Sequence, residues 1–411
     1  MQRMGIFLNM SRHQEDCHVS AKIPEPMQYQ LANIVVVSLC AVIDQAYYIR
    51  WMYLTCSLTH PVFITATEQS IMTYLLGRWT RLPLPLALRS SQILAIANRT
   101  AILFSGELKP RDPVDNAVLL VSLDREAAPQ INDYIITNNT PSPRVGSAGA
   151  ALADTFFVFS GRAGKDFITS ETSLHAFHIS TQTWSTFETP GDRPEARSYH
   201  AIAASADDRL YLHAGCSSSG QRLNDLWCFT PSKNVWTRLA DAPGQPRGGP
   251  SIAFSEEKVY RIGGYDGNTE IGGSLDVYDV TTDTWESISY QADGIEGPSP
   301  RSVGALVAVQ VAGKSLLLYI FGEGQASSLG HAGAGHFWDD VWVHQVGSRS
   351  TVWSKLMLEG DKPEPRGWFA AASAGCSAII QGGLHTSNER LGDWWELTPL
   401  LNYEICWLLL H

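Results

Sequence analysis

Six arginines recur at nearly even intervals along the 411-residue chain: Arg89, Arg144, Arg197, Arg247, Arg301 and Arg366, separated by 55, 53, 50, 54 and 65 residues. A guanidinium is a planar fork that fits carboxylate, sulfate or phosphate. Brought together, such groups would form an anion site. Each arginine is followed by an apolar run that ends in glycine, and the next residues are Glu107, Arg162, Cys216, Tyr265, Glu323 and Leu384. His200 lies three residues after Arg197 and Trp368 two after Arg366, and both join the candidate ligand contacts. His331 and His336 lie in a Gly-Ala-rich stretch, Ser327 to Phe337, which reads as a lid or a weak metal site. The phosphate-loop, dinucleotide, zinc-protease and serine-hydrolase motifs are all missing. The alternative reading of the arginines is that they brace loops, paired to carboxylates such as Glu107 or Glu323.

The elements that must position these residues repeat with them. The apolar runs end in Phe-Ser-Gly, Phe-Ser-Gly, His-Ala-Gly, Ile-Gly-Gly, Ile-Phe-Gly and Gln-Gly-Gly. Three units then carry an aromatic, six residues and a tryptophan: Phe177 and Trp184, Phe229 and Trp236, Tyr278 and Trp285. Glycine permits a sharp backbone turn, and large aromatics fill the wedge between sheets that cannot bury their own faces. A period near 50 with these marks resembles the kelch repeat, one four-stranded blade per unit. The expectation is an all-β fold, a six-bladed kelch β-propeller. Arg78-Trp79-Thr80-Arg81-Leu82 is similar to Val235-Trp236-Thr237-Arg238-Leu239, so the N-terminal strand is expected to close the last blade and leave no open edge. The expected domains are an N-terminal extension over 1–77, poorly ordered or outside the propeller, the propeller over 78–398, and a tail over 399–411. In such a ring the arginines and the residues behind the glycines would open on one face of the central channel.

Composition narrows the function classes. Charged residues make up 17% and hydrophobic residues 44%, with 34 glycines, which fits a folded, turn-rich chain. A net charge of −11 argues against nucleic acid as partner. The apolar run Ile34 to Ile43 is only ten residues long, half of what a spanning helix needs, so a membrane role is not expected. Seven cysteines with no CxxC pair signal neither a zinc site nor a disulfide framework, and the expected compartment is the reducing cytoplasm.

Several segments also resemble the nitrile-specifier and epithiospecifier type of kelch protein: Pro194-Glu195-Ala196-Arg197-Ser198-Tyr199-His200, Arg247-Gly248-Gly249-Pro250, Pro300-Arg301-Ser302-Val303, Pro365-Arg366-Gly367-Trp368, and Gly382 to Arg390. That resemblance implies ferrous iron, held by a Glu-x3-Asp-x3-His arrangement, and a lyase or isomerase acting on a reactive sulfur-containing intermediate. Glu270 stands at the first iron position, but Ser274 and Tyr278 stand at the other two. Fe(II) therefore enters only through the resemblance. The leading expectation is a propeller that binds a small anionic molecule or an acidic partner segment on an Arg-rich face, as an accessory of secondary metabolism. A specifier-like enzyme is the alternative.

Overall fold

The computed structural model describes residues 7–10, 19–22, 75–124, 131–163, 168–169, 171–325, 327–329, 333–347 and 353–401. Two compact units divide the chain, one comprising Met1–Thr73 with Tyr403–His411 and the other Tyr74–Asn402. In the first, Phe7–Met10 pairs antiparallel with Val19–Lys22. The second is a six-bladed β-propeller.

Each blade is an antiparallel sheet built outward from the channel. Blade 1 contains Ile93–Ala97, Thr100–Phe104, Val118–Ser122 and Ile131–Ile135. Blade 2 contains Ala148–Leu152, Thr155–Phe159, Leu174–His178 and Thr183–Phe187. Blade 3 has Ala201–Ala204, Leu210–Ser217, Arg222–Thr230 and Val235–Leu239. In blade 4 the strands are Ser251–Ser255, Lys258–Ile262, Ser274–Asp279 and Thr284–Ser289. Blade 5 has Ala305–Val311, Lys314–Ile320, Val341–Gln345 and Ser354–Lys355. Blade 6 takes Ala370–Ser373, Ala378–His385 and Arg390–Leu401 from the C-terminal end, and its fourth strand, Leu75–Arg81, from the N-terminal end. Trp79 faces Leu397 as Trp236 faces Phe229 in blade 3, which is the closure the sequence comparison predicts.

The fourth-strand tryptophans glue the ring. Each reaches back to the preceding blade: Trp184 to Phe104 at 5.2 Å, Trp236 to Phe159 at 5.7 Å, Trp285 to His213 at 5.9 Å, Trp353 to Tyr290 at 6.0 Å and Trp79 to Phe321 at 5.7 Å between ring centroids. Trp353 has no Tyr or Phe seven residues ahead, because His344 takes the blade aromatic's place at 5.4 Å.

Backbone bonds complete the joint. The second glycine of each turn donates its N–H to the carbonyl of the next blade's arginine: Gly106 to Arg144, Gly161 to Arg197, Gly215 to Arg247, Gly264 to Arg301, Gly322 to Arg366 and Gly383 to Arg89, all between 2.9 and 3.2 Å. All six of these glycines have φ between 101° and 109°, which other residues avoid. At Gly383 a Cβ would also stand 2.8 Å from Phe369 Cβ. The residue before each one, by contrast, is Ser105, Ser160, Ala214, Gly263, Phe321 or Gly382, at φ 48–70°. Only the second position demands glycine, which is why the sequence shows Gly-Gly and its variants.

A second ring lies two residues beyond the arginines. Ser91, Gly146, Tyr199, Gly249, Val303 and Trp368 all have φ between 47° and 66°. Their backbones join across blades, Ser91 N–H to Trp368 O, Trp368 to Val303, Val303 to Gly249, Gly249 to Tyr199 and Tyr199 to Gly146, at 2.7–3.0 Å. A β-branched residue is poorly suited to that conformation. Replacing Val303 by Asn, which tolerates it, is expected to raise stability by about 1 kcal/mol. A melting temperature at or below that of the parent would contradict this.

Candidate functional site

The arginines were expected to open together at the channel mouth. The structure corrects this: Arg89, Arg144, Arg197, Arg247, Arg301 and Arg366 are all buried, none more than 3% exposed. Each points along its own blade, and its Nη1 donates to the carbonyl just before the turn glycine: to Ser105, Ser160, Ala214, Gly263, Phe321 and Gly382, at 3.0–3.2 Å. Carboxylates neutralise five of them. Arg197 pairs with Asp225 at 2.6 Å, Arg301 with Asp340 at 2.5 Å, Arg366 with Asp393 at 2.6 Å, Arg144 with Glu171 at 3.1 Å, and Arg89 with Asp115 at 3.9 Å. Desolvation would raise the carboxyl pKa of Asp340 and Asp393, but the hydrogen bonds and charges of Arg301 and Arg366 outweigh it and hold both below the usual range. These arginines tie the turn to the blade, which leaves their forks committed inside the protein. The bracing acids are not Glu107 or Glu323.

Blade 4 departs from this pattern. Ser274 stands four residues before Tyr278, where Asp225 stands before Phe229, so Arg247 lacks the pairing carboxylate. Burial and then the charge of Arg261 bring the Arg247 pKa down to about 10. The blade's carboxylate is Asp276, which accepts from Arg261 Nε at 3.0 Å and from Ser287 Oγ at 2.6 Å.

The residues behind the glycines do reach the mouth, where they line two adjoining depressions. One, of about 90 Å³, is lined by Ser90, Glu107, Arg111, Arg162, Tyr199, Gly333, Trp368, Leu384 and Arg390. Here Arg390 holds Glu107 at 2.9 Å, and Glu107 also accepts the Arg111 backbone N–H at 2.8 Å. Burial nevertheless leaves the Glu107 pKa raised. Arg162 donates to Ser198 Oγ at 3.0 Å. Three arginines against one carboxyl make this depression cationic.

The other depression, of about 110 Å³, contains Cys216, Arg222, Tyr265, Glu270, Ser302, Val303 and Glu323, and shares Tyr199 and Trp368 with the first. Arg222 donates to Cys216 Sγ at 2.9 Å and lies 5.8 Å from the Tyr265 ring centre. Desolvation raises Glu270 to about 7, and desolvation together with the charge of Glu270 raises Glu323 to about 8.

His200 sits lower, lining the channel with Gln92 and Ser147. Its ring meets Phe159 edge-on at 5.6 Å, and burial, then the Arg197 charge, hold its pKa well below the ordinary histidine value. His336 is exposed beside Trp338, while His331 lies outside the described residues. Gly333 and Ser327 do border the mouth, and the Gly335 N–H donates to Glu323 Oε1 at 2.9 Å.

The residues at the implied iron position do not fit a ferrous ion. Tyr278 is buried in the blade core and donates to Asp283 at 2.8 Å, Ser274 supplies no carboxylate, and among the described residues no three His, Cys, Asp or Glu side chains converge as ligands.

Sequence reasoning missed Arg111, Arg222 and Arg390 as mouth residues: Arg111 lies in a turn, while Arg222 and Arg390 each open a third strand opposite the residue behind the turn glycine, Cys216 and Leu384, at a six-residue spacing that blades 3 and 6 share. It also missed the buried acids, although these carry a mark: Asp225, Asp340 and Asp393 each precede by two residues a tryptophan whose Nε1 donates to them at 2.6–2.9 Å.

Comparison with known proteins agrees with the architecture. Residues 91–322 match the model of the KLHDC2/KLHL20/DRC7 Kelch-repeats domain. The chain is 26% identical over 270 residues to the Drosophila melanogaster leucine-zipper-like transcriptional regulator 1 homolog, covering 62% of this chain and 26% of that one. It is 34% identical over 105 residues to Bos taurus Kelch domain-containing protein 2, covering 26% of this chain and 25% of the relative. The chain thus spans about a quarter of the length of these relatives. The solved structure of YjhT superposes with a TM-score of 0.61 at 15% identity, covering 76% of this chain and 95% of that one, which shows a shared fold.

Proposed function

Because the chain belongs to the kelch-repeat family, we propose that it is a protein-binding module whose channel mouth takes an acidic segment of a partner. The observation that carries this reading is the cationic depression of Arg111, Arg162 and Arg390. Arg111 comes from the loop of blade 1, Arg162 from blade 2 and Arg390 from blade 6, so positive charge is spread over half the ring rather than focused on one point. An extended segment with several carboxylates matches that spread better than a single small anion. In a chain of net charge −11 it is a local reversal of sign, able to steer an acidic partner to one face.

The test is fluorescence polarisation with a labelled peptide of alternating Glu and Gly, against the same peptide with Gln. The Glu peptide should bind more tightly, and more weakly as salt rises. Arg111→Glu with Arg162→Glu should weaken it by about tenfold or more. Equal binding of the Gln peptide, or no effect of the double reversal, would reject the reading.

A further inference from the structure

The second depression has the opposite character. Its two carboxyls, Glu270 of blade 4 and Glu323 of blade 5, face a small space walled by Tyr199, Tyr265, Val303 and Trp368. Glu270 Oε2 is buried and has no hydrogen-bond partner. Glu323 accepts from the Gly335 N–H, and Arg222, on the blade 3 side, is engaged with Cys216 and the Tyr265 ring. Glu323 is buried, and Glu270 is half-buried with a side-chain hydrogen bond from Ser302. Two such carboxyls without a pairing cation are costly, because each must give up charge or hydration. A cation brought from outside would remove that cost.

We propose that this depression is a binding site for a primary ammonium group, in the first instance the side chain of a lysine on a partner, seated between Glu270 and Glu323. A compact ammonium has three donors in rotatable positions. Glu270 Oε2 and Glu323 can take two of them, and the hydroxyl of Ser302 or Ser327, both in the lining, can take the third. The aliphatic stem would lie along Val303, and the ring faces of Trp368 and Tyr199 attract a desolvated cation. A metal ion is served less well, since two carboxylates do not make up a coordination sphere.

The proposal goes beyond the acidic-segment reading, because it concerns another depression and the opposite charge. It predicts a proton signature. The titratable and charged groups around the pair are Asp266, Arg222, Cys216, Tyr265 and Tyr199, with Tyr319 of blade 5 also interacting electrostatically with Glu270. With Glu270 near 7 and Glu323 near 8, both carry substantial proton occupancy at neutral pH. An ammonium selects the ionised forms, so binding must release protons and affinity must rise with pH up to the higher of the two values.

The experiment is calorimetry with the neutral-ended peptide acetyl-Gly-Lys-Gly-amide, in two buffers of different ionisation enthalpy, from pH 6 to pH 8.5. The acetyl-lysine peptide is the control. The expected result is net proton release at pH 7 and an affinity gain of about tenfold or more between pH 6 and pH 8. Glu270→Gln and Glu323→Gln should each lose most of the affinity. Gln mimics the protonated carboxyl and can still accept from Gly335, so unfolding of the variants is not expected, and a melting curve checks it. Equal binding of the acetyl-lysine peptide, a pH-independent affinity, or full affinity in both variants would overturn the proposal. None of these outcomes bears on the Arg111 and Arg162 depression, whose own test uses a peptide without lysine.

Discussion

Substituting Asp276 by Asn is expected to lower the free energy of unfolding by about 3–5 kcal/mol. Asp276 is 2% exposed and its carboxylate serves two buried guanidiniums. It accepts directly from Arg261, and its charge also supports Arg247, which burial and Arg261 push toward losing its proton. The other blades keep one arginine to one acid, Arg301 with Asp340 or Arg366 with Asp393. Blade 4 has Ser274 at that acid's position, so the carboxylate that pairs with the arginine in the other blades is missing here and Asp276 is the larger of the acid charges acting on Arg247. Asn keeps the shape and one acceptor but removes the charge, stranding Arg261 and Arg247 together. Urea unfolding checks this through the midpoint, with the slope unchanged. The control is Asp241→Asn, which breaks the exposed pair with Arg238 and should cost no more than about 1 kcal/mol. Similar losses in the two variants would mean that the buried charges are not coupled as described. Adding Arg261→Met to Asp276→Asn should recover part of the loss, since removing both partners leaves one fewer charge unpaired.

The same arginines show where sequence reading stops. Their period, with the glycines and the Phe-x6-Trp pairs, was enough to read blade number, strand order and closure, because those marks follow from local backbone and packing demands. Gly106, Gly161 and their equivalents must be glycine at φ above 100°, and Trp184 or Trp236 must fill the wedge against the preceding blade. The direction of a side chain is not carried by period. Arg197 could point into the channel or back along its blade, and the deciding residue is Asp225, 28 positions away. The Asp-x-Trp pattern would have revealed it, since an acid held by an indole N–H is placed inside rather than at the rim. Conversely, Glu107 and Glu323 reach the mouth as strand geometry predicts, whereas Arg111 comes from a turn whose course no repeat fixes, and Arg222 is brought there by its strand pairing with Cys216. Glu270 is only a weak iron candidate through the resemblance, whose Asp and His positions hold Ser274 and Tyr278, and the structure gives it a different neighbour, Glu323 across the blade boundary.

Closure of the ring makes the other large expectation. A chain beginning at residue 83 should fail to unfold cooperatively, or should melt far below one beginning at residue 74. The strand Leu75–Arg81 is the fourth strand of blade 6, paired with Arg390–Leu401 along its length and also with Met357–Glu359. Without it, the outer edge of Arg390–Leu401 is left unpaired, with free N–H and C=O groups that invite association with another chain. Trp79 is the main apolar loss: it is 4% exposed, lies 5.7 Å from Phe321, and shares a core cluster with Leu318, Val343, Ile380 and Leu397. Its removal opens the seam between blades 5 and 6. Trp79→Ala in the full chain isolates that part and should cost about 3–5 kcal/mol. Light scattering during the melt separates the two contributions, since aggregation should follow loss of the strand but not the Trp79→Ala change. If the chain beginning at 83 melts like the one beginning at 74 and stays monomeric, blade 6 is stable without its N-terminal strand. The ring would then owe its integrity to the inter-blade bonds of Gly383 to Arg89 and Gly322 to Arg366 rather than to strand closure.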